Sequence, residues 1–350
     1  MPKFTIVISD RSKHDAGYKK NRLYWSLAAS LGGYGELCLY WFLREYYGGE
    51  SVELLRPSEL LRRSATWQTD YLMVGVPTRL SREHLKNVRY GRMLLYDSSD
   101  HDGINFLYSD EQFLLSKADC CLKHFRDRRW SLPVRIGLLP IKRPPLNNRL
   151  YWKLRRCSLD AVMPVQDRPF DVGFVARPTG DVRSNVRLRW LVELAKSDCG
   201  FSRWGGLVGG PNWQEEFADH AIPADCWMGR KKVGFSEYFD GLCQSKVALA
   251  PSGYAPWTFR HYEAIYAGCM LVTEDLDPYD FLVPIPSQSV VQVGPGKSVV
   301  DGVREAVDLS LSEPNRVVEA RRELEKWIDQ GRYSKGCHLT LDRFWKEMET

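Results

Sequence analysis

The chain has 350 residues, of which 44% are hydrophobic and 27% charged, a balance typical of a folded protein rather than a disordered one. Its formal net charge of +5 slightly favours anionic partners but does not select among them. Nine cysteines without a C-x-x-C pair and seven histidines without a zinc-binding spacing argue against a disulfide framework and a zinc site. We therefore expect reduced core cysteines and no bound metal.

The first 160 residues alternate short apolar runs with amphipathic segments. Three runs predict buried parallel strands, namely residues 4–9, 71–76 and 92–97. The pattern predicts a helix over 34–49, closed by Gly48 and Gly49. Segment 109–124 predicts a helix that is followed by, or breaks into, a short strand. Residues 1–160 therefore predict an amino-terminal Rossmann-like lobe. Neither a signal peptide nor a transmembrane run is present, so we expect a cytoplasmic protein.

Residues 140–169 contain five prolines and predict an interdomain connection. A second α/β unit follows, with strands expected at 170–176, 247–250 and 269–273, helices at 183–196, 236–246 and 258–267, and a loop at 204–213. Ser236 is the predicted N-cap of the middle helix. We expect a second Rossmann-like lobe over 168–330, and a helix over 331–350 that could pack back on the first lobe. The fold class is α/β, with ligands at the carboxyl ends of the strands.

The segment "APSGYAPWTFRHYEAIYAGCMLVTED" (250–275) contains the clearest candidate site. A strand leads into a glycine loop and then into a helix that Thr258 would cap. Unpaired N–H groups in the first turn of such a helix attract anions, and Gly253 permits close approach of a ligand to the backbone. Arg260 could hold phosphate oxygens, while Glu263, on the same helix face, could accept hydrogen bonds from ribose hydroxyls. The alternative is an intrahelical ion pair between these two side chains.

This segment resembles the donor-binding segment of exostosin-like glycosyltransferases, which have the GT-B fold. The matching positions are Pro251, Gly253, Thr258, Arg260, Glu263, Ala264, Ala267, Gly268 and Cys269. Met270 and Leu271 stand where the family often has Ile-Pro.

The resemblance implies two Rossmann-like lobes facing a central cleft, and a nucleotide-sugar as co-substrate without a tightly bound cofactor. It also implies that Glu263 holds the ribose and Arg260 the diphosphate or the donor sugar. Many retaining GT-B enzymes carry an E-x7-E motif whose first acid would fall at Ala255. Its absence favours an inverting enzyme.

Further donor-binding candidates flank this segment. Tyr254 lies in the glycine loop. Arg183 and Arg187 follow the first strand of the second lobe, where they would either add positive charge to a diphosphate site or form a solvated basic helix face. Tyr238 would either stack on the nucleotide base or be buried in its helix.

An inverting transfer requires a general base near the acceptor hydroxyl. The segment "LLYDSSDHDG" (94–103) follows a predicted strand and carries Asp97, Asp100 and His101. Asp100 and His101 are the preferred candidates, since Asp97 could simply cap a loop. The alternative is that these polar residues only terminate the strand. No full calcium-binding loop pattern and no other metal motif is present.

Residues 122–156 contain eleven Lys or Arg and a single acid, Asp127. This basic segment could be a solvated linker, could contact an anionic membrane surface such as the inner membrane, or could bind nucleic acid. Depending on which role is right, the acceptor of the sugar would be a glycan, a glycolipid or a DNA base.

We therefore expect a metal-independent glycosyltransferase. Two alternatives remain open, a nucleic-acid-binding protein on a degenerate GT-B body and a GT-B sugar epimerase or phosphorylase.

Overall fold

The computed structural model describes residues 1–8, 39–40, 43–44, 47–63, 66–75, 78–97, 103–138, 163–178, 186–209, 222–230, 232–253, 255–256, 258–328 and 338–349. The chain divides into two compact units. The first lobe comprises Met1–Asn148, Tyr279–Pro284 and Lys326–Thr350, and the second comprises Arg149–Pro278 and Ile285–Glu325.

A six-stranded parallel sheet forms the first lobe, in the order β2-β1-β3-β4-β5-β7. Its strands are β1 (Phe4–Val7), β2 (Val52–Leu55), β3 (Gln68–Gly75), β4 (Arg89–Asp97), β5 (Cys120–Lys123) and β7 (Ile136–Leu138). The strands expected at 4–9, 71–76 and 92–97 are confirmed as β1, β3 and β4. Their centres are fully buried, as continuous apolar runs require in a parallel sheet covered on both faces.

The segment 109–124 forms little helix. A 3-10 turn at Gln112–Leu114 stands in place of the expected helix. The short strand expected after it is confirmed as β5, whose apolar run Cys120–Leu122 is fully buried between β4 and β7. The helix expected over 34–49 is described only in part. Its end at Gly48 is confirmed, since Gly48 has φ +89° and donates its N–H to the Arg44 carbonyl at 2.9 Å.

A two-stranded ribbon and three helices belong to the first lobe as well. Strand β6 (Phe125–Asp127) pairs antiparallel with β12 (Tyr279–Phe281). The carboxyl-terminal helix α8 (His338–Glu349) buries Phe344 and Met348 in the core of this lobe. The short helices are α1 (Pro57–Leu60) and α2 (Arg82–Leu85).

The second lobe is built on a five-stranded parallel sheet in the order β13-β11-β10-β8-β9. Its strands are β8 (Phe170–Ala176), β9 (Arg203–Leu207), β10 (Ser245–Ala250), β11 (Met270–Glu274) and β13 (Val290–Val293). The helices that follow in the chain are α3 (Val186–Lys196), α4 (Phe235–Cys243), α5 (Phe259–Tyr266), α6 (Val299–Ser312) and α7 (Asn315–Ile328). The strand predicted at 170–176 is confirmed with those bounds.

Two predictions for this lobe are wrong. The segment 204–213 was expected to be a loop, but its first residues belong to strand β9. Gly205 has φ +93°, and a Cβ there would lie 2.1 Å from the Phe174 carbonyl oxygen, so the glycines allow β9 to approach β8 closely. Helix α4 begins at Phe235 with Gly234 as its N-cap, so Ser236 is not the cap.

The six described cysteines are free thiols, of which Cys120, Cys121, Cys226 and Cys269 are buried. No helix of the described residues is long and apolar enough to cross a bilayer. Within the same residues, no cluster of His, Cys, Asp and Glu side chains is suited to hold a metal ion.

Candidate functional site

Helix α5 begins at the carboxyl edge of the second sheet, directly after β10. Thr258 is its N-cap with extended backbone, as the sequence predicted. Its N–H donates to Nδ1 of His261 at 2.9 Å, so His261 rather than the threonine side chain completes the cap. The buried Oγ1 of Thr258 has no hydrogen-bond partner among the described residues. This hydroxyl therefore remains available at the start of the helix.

His261 is fully buried and links the helix to strand β11. Its Nε2 lies 3.1 Å from Oγ1 of Thr273. The Thr258 carbonyl already accepts from the His261 N–H, so we assign Nδ1 as the acceptor for the Thr258 N–H and Nε2–H as the donor to Thr273. Burial, and then the positive charge of Arg260, lower the pKa of His261 to about 4 despite a hydrogen bond to Thr258 that acts in the opposite direction. The imidazole is therefore neutral at pH 7.

Arg260 reaches from the first turn of α5 to strand β8. Its Nη2 donates to the Val175 carbonyl at 2.7 Å, and its Cζ lies 5.1 Å from the centre of the Phe174 ring. The other donor atoms, Nε and Nη1, are buried and have no hydrogen-bond partner within the described part of the chain. A guanidinium remains charged in proteins, and buried donors are rarely left unsatisfied. An anion bound at this helix start would satisfy them.

Glu263 lies one helical turn after Arg260 and is half-buried. The Tyr238 hydroxyl of helix α4 lies close to both side chains. Its pKa is raised well above its ordinary value, first by burial and then by the negative charge of Glu263, while Arg260 acts in the opposite direction. The hydroxyl has no well-formed hydrogen bond among the described residues. The structure thus brings a guanidinium, a carboxylate and a phenol together.

The Tyr238 ring packs inside the lobe, near the rings of Phe235 and Trp204, with centroid distances of 6.1 and 6.5 Å respectively. Of the two alternatives for Tyr238, stacking on a nucleotide base or burial with its helix, the position of the ring agrees with burial. The polar contribution of the residue comes from its hydroxyl, which the sequence did not link to Arg260 and Glu263.

The loop between β10 and α5 is held by two charged side chains. The Ser252 N–H donates to Oε2 of Glu274 at 2.8 Å, and the Ser252 carbonyl accepts from Nε of Arg187 at 3.1 Å. The Arg187 guanidinium lies against Gly253, where a Cβ would be 2.1 Å from its Nη2. The guanidinium would have to move to admit a side chain at this position. Glu274 is not among the predicted site residues, and its only signal in the sequence is an acid at the carboxyl end of an expected strand.

Three predicted site residues lie at this loop and helix start in addition to Arg260 and Glu263, namely Gly253, Thr258 and Arg187. Tyr254 and Arg183 lie outside the described residues, and so do the first-lobe candidates Asp100 and His101.

Asp97 ends strand β4 in the first lobe and forms a buried ion pair. Its Oδ2 lies 3.4 Å from Nζ of Lys123, its register partner on β5, and the two side chains are 1% and 0% exposed. The same oxygen accepts the Asn105 N–H at 2.7 Å. This carboxylate is therefore engaged within the fold, as expected of a residue that caps a loop.

The described part of the basic segment uses its arginines within the first lobe. Arg126 contacts Asp280 and Glu347, each at 2.9 Å, and Arg128 contacts Asp280 at 3.0 Å. Burial alone would raise the pKa of Asp280, but its hydrogen bonds to these arginines hold it below the ordinary value. Arg129 pairs with Asp127 at 2.6 Å. These charges connect β6, β12 and α8, and the remainder of the segment, 139–156, lies outside the described residues.

Comparison with known proteins identifies the fold. No family model matches the chain, and no curated protein matches it. Among solved structures, it is similar to an alpha-glucosyltransferase in complex with UDP and a 13-mer DNA containing a central A:G mismatch, with a TM-score of 0.50, 12% identity and all of both chains covered.

Two further solved structures are similar over nearly their full length. One is a trehalose-6-phosphate synthase, with a TM-score of 0.49, 13% identity and 99% of each chain covered. The other is a glycosyltransferase involved in avilamycin A biosynthesis, with a TM-score of 0.48, 14% identity and coverage of 99% of this chain and 98% of that one. The likeness to the alpha-glucosyltransferase structure and the two parallel sheets show an α/β fold of the GT-B type, with two Rossmann-like lobes.

Proposed function

We propose that this protein is a glycosyltransferase that moves a sugar from a nucleotide-sugar donor to an acceptor hydroxyl. The observation that carries the proposal is Arg260, with two buried donor atoms that lack a hydrogen-bond partner among the described residues at the start of α5. A departing nucleoside diphosphate is an anion, and a guanidinium at a helix N-terminus stabilises developing negative charge.

The remaining residues of the site have roles that fit this chemistry. Glu263 accepts hydrogen bonds from the ribose hydroxyls, and the Thr258 hydroxyl donates to a phosphate oxygen. Gly253 and Tyr254 form the loop beside the donor, while Arg183 and Arg187 add positive charge around it. The Tyr238 hydroxyl, on helix α4, helps to position the side chains of Glu263 and Arg260.

We propose a single displacement with inversion at the anomeric carbon, without a metal and without a tightly bound cofactor. Asp100 or His101 in the first lobe takes the proton of the acceptor hydroxyl as the sugar bond to the nucleotide breaks. Asp97 is the weakest candidate for this base, because Lys123 and the Asn105 N–H already engage its carboxylate. Ala255 in place of an acid supports inversion, and residues 250–275 support an exostosin-like donor site.

UDP is the first nucleotide to test, because the similar alpha-glucosyltransferase was solved with UDP. That structure also contains DNA, so a nucleobase is a candidate acceptor beside a glycan or a glycolipid. We propose a cytoplasmic protein that transfers a hexosyl unit, with residues 139–156 as the candidate contact to DNA or an anionic membrane surface.

The test is binding and turnover with purified protein. UDP and UDP-glucose, compared with the GDP, CMP and dTDP equivalents, should raise the melting temperature selectively. Arg260→Met and Glu263→Gln should each lower nucleotide affinity at least about tenfold, which is about 1.4 kcal/mol. Arg189→Ala, which removes an exposed arginine of α3, is the matched control and should retain wild-type affinity. Full affinity in both site variants would exclude the proposed site.

Product analysis separates the alternatives. A transferase releases the nucleotide and forms a new glycoside, whereas an epimerase returns an isomerised nucleotide-sugar and a phosphorylase requires inorganic phosphate. A nucleic-acid-binding protein on a degenerate body would be stabilised by DNA but by none of the nucleotides.

A further inference from the structure

The loop between β10 and α5, which we call the donor loop, is held by hydrogen bonds within the protein. The Ser252 N–H is bonded to the carboxylate of Glu274 and the Ser252 carbonyl to the guanidinium of Arg187, at 2.8 and 3.1 Å. The Gly253 N–H donates to the Ala255 carbonyl at 3.0 Å, which closes the turn. The backbone of Ser252 is therefore held from both sides by opposite charges from α3 and β11.

Each of these two hydrogen bonds joins a side chain from a neighbouring element to the Ser252 backbone. They restrict the loop before any ligand arrives, and a loop that is already ordered does not lose conformational entropy when it binds. A carboxylate beside an anion site would by itself repel the nucleotide. Arg187, on the other side of Ser252, offsets that charge.

We infer that Glu274 is a positioning residue for the donor loop, and that it acts through Ser252 rather than by touching the nucleotide. This inference rests on the proposed function for its effect on nucleotide affinity. Its effect on the loop is independent of that proposal. The role requires a hydrogen-bond acceptor at position 274 but does not require a negative charge.

The experiment compares Glu274→Ala with Glu274→Gln. A glutamine oxygen can still accept the Ser252 N–H, so the glutamine variant should keep the loop ordered and bind UDP at least as tightly as the wild type. The alanine variant removes the acceptor and should raise the Kd for UDP about tenfold. Glu319→Ala, which removes an exposed acid on α7, is the control for loss of a carboxylate and should leave the Kd unchanged.

Hydrogen–deuterium exchange of the peptide 250–258 measures the loop without nucleotide. Exchange should become about tenfold faster in Glu274→Ala and in Arg187→Met, and should remain at the wild-type rate in Glu274→Gln. Circular dichroism melting of each variant establishes that it is folded, and Arg187→Met tests the same loop from the opposite side.

Two results would overturn the inference. Wild-type exchange in Glu274→Ala would show that the acid does not hold the loop. Equal loss of UDP affinity in the glutamine and alanine variants would show that the carboxylate itself contacts the ligand. If wild-type protein does not bind UDP or any other nucleotide, the proposed function fails, while the exchange experiment still decides whether Glu274 positions the loop.

Discussion

Buried charged groups lie at the carboxyl edge of each sheet, but their interactions differ between the two lobes. In the first lobe, Asp97 and Lys123 are neighbours in register and neutralise each other in the interior. In the second lobe, Arg260 has one hydrogen bond to a backbone carbonyl and two buried donor atoms without partners among the described residues. A complete buried pair stabilises the fold without a ligand, whereas the buried donors of Arg260 are where we propose that an anion binds.

Removing one partner of the Asp97–Lys123 pair tests whether the pair stabilises the fold. Lys123→Met leaves the Asp97 carboxylate buried without its ion-pair partner, which should lower the free energy of unfolding by about 3–5 kcal/mol. Denaturant unfolding followed by circular dichroism measures the loss. The double variant with Asp97→Asn should recover most of it, because neither charge of this pair then remains. A loss below about 1 kcal/mol in the single variant would contradict the assignment of a structural pair.

The second prediction concerns pH and the neutral His261 beside Arg260. Its pKa is about 4 in the folded state and about 6.5 when unfolded, so the unfolded chain binds a proton first as the pH falls. The stability that His261 contributes is complete above pH 6.5 and is lost as the pH falls through 4, by up to about 3 kcal/mol.

The measurement is the free energy of unfolding at several pH values between 7 and 4. His261→Gln, whose side-chain oxygen can accept the Thr258 N–H, should show a flatter profile than the wild type. Equal slopes for the two proteins would show that His261 does not titrate in this window.

Removing the charge of Arg260 should affect stability and ligand binding in the opposite way to removing the charge of Lys123. Arg260→Met removes a hydrogen bond to Val175 but also removes two buried donors that have no partner among the described residues, so the free energy of unfolding should change by less than about 1 kcal/mol. Affinity for UDP should nevertheless fall at least about tenfold, which titration calorimetry measures. A large loss of stability with unchanged nucleotide affinity would place Arg260 with the structural charges of the first lobe.

Local pattern was sufficient to predict the strands and the helix that contain the site. Strands β8 and β10 are buried apolar runs, and α5 follows a Pro-Gly loop with a threonine cap, so each has a strong local signal. Strand β9 was missed because its glycines are typical of a loop. Their role is to let two backbones approach closely, which only the paired strands reveal.

The interactions within the site were less accessible to sequence reasoning. Glu274 follows Ser252 by more than twenty residues, and the two meet only because β10 and β11 are adjacent and in register. The Tyr238 hydroxyl approaches Glu263 because α4 packs beside α5. Such contacts depend on strand order and helix packing, which the periodicity of a segment does not encode.

Arg128 is paired with Asp280 but remains exposed to solvent, so its removal should change stability little. Arg128 contacts Asp280 at 3.0 Å with 62% of its side chain exposed, and Arg126 also binds this carboxylate. Arg128→Ala should therefore change the free energy of unfolding by less than about 1 kcal/mol, and by less still at 0.5 M salt. Because this arginine serves the pairing of β6 with β12, its removal should leave any affinity for duplex DNA unchanged. A weaker affinity, with a salt dependence reduced by about one released counterion, would instead show that Arg128 contacts phosphate and that the DNA contact is not confined to residues 139–156.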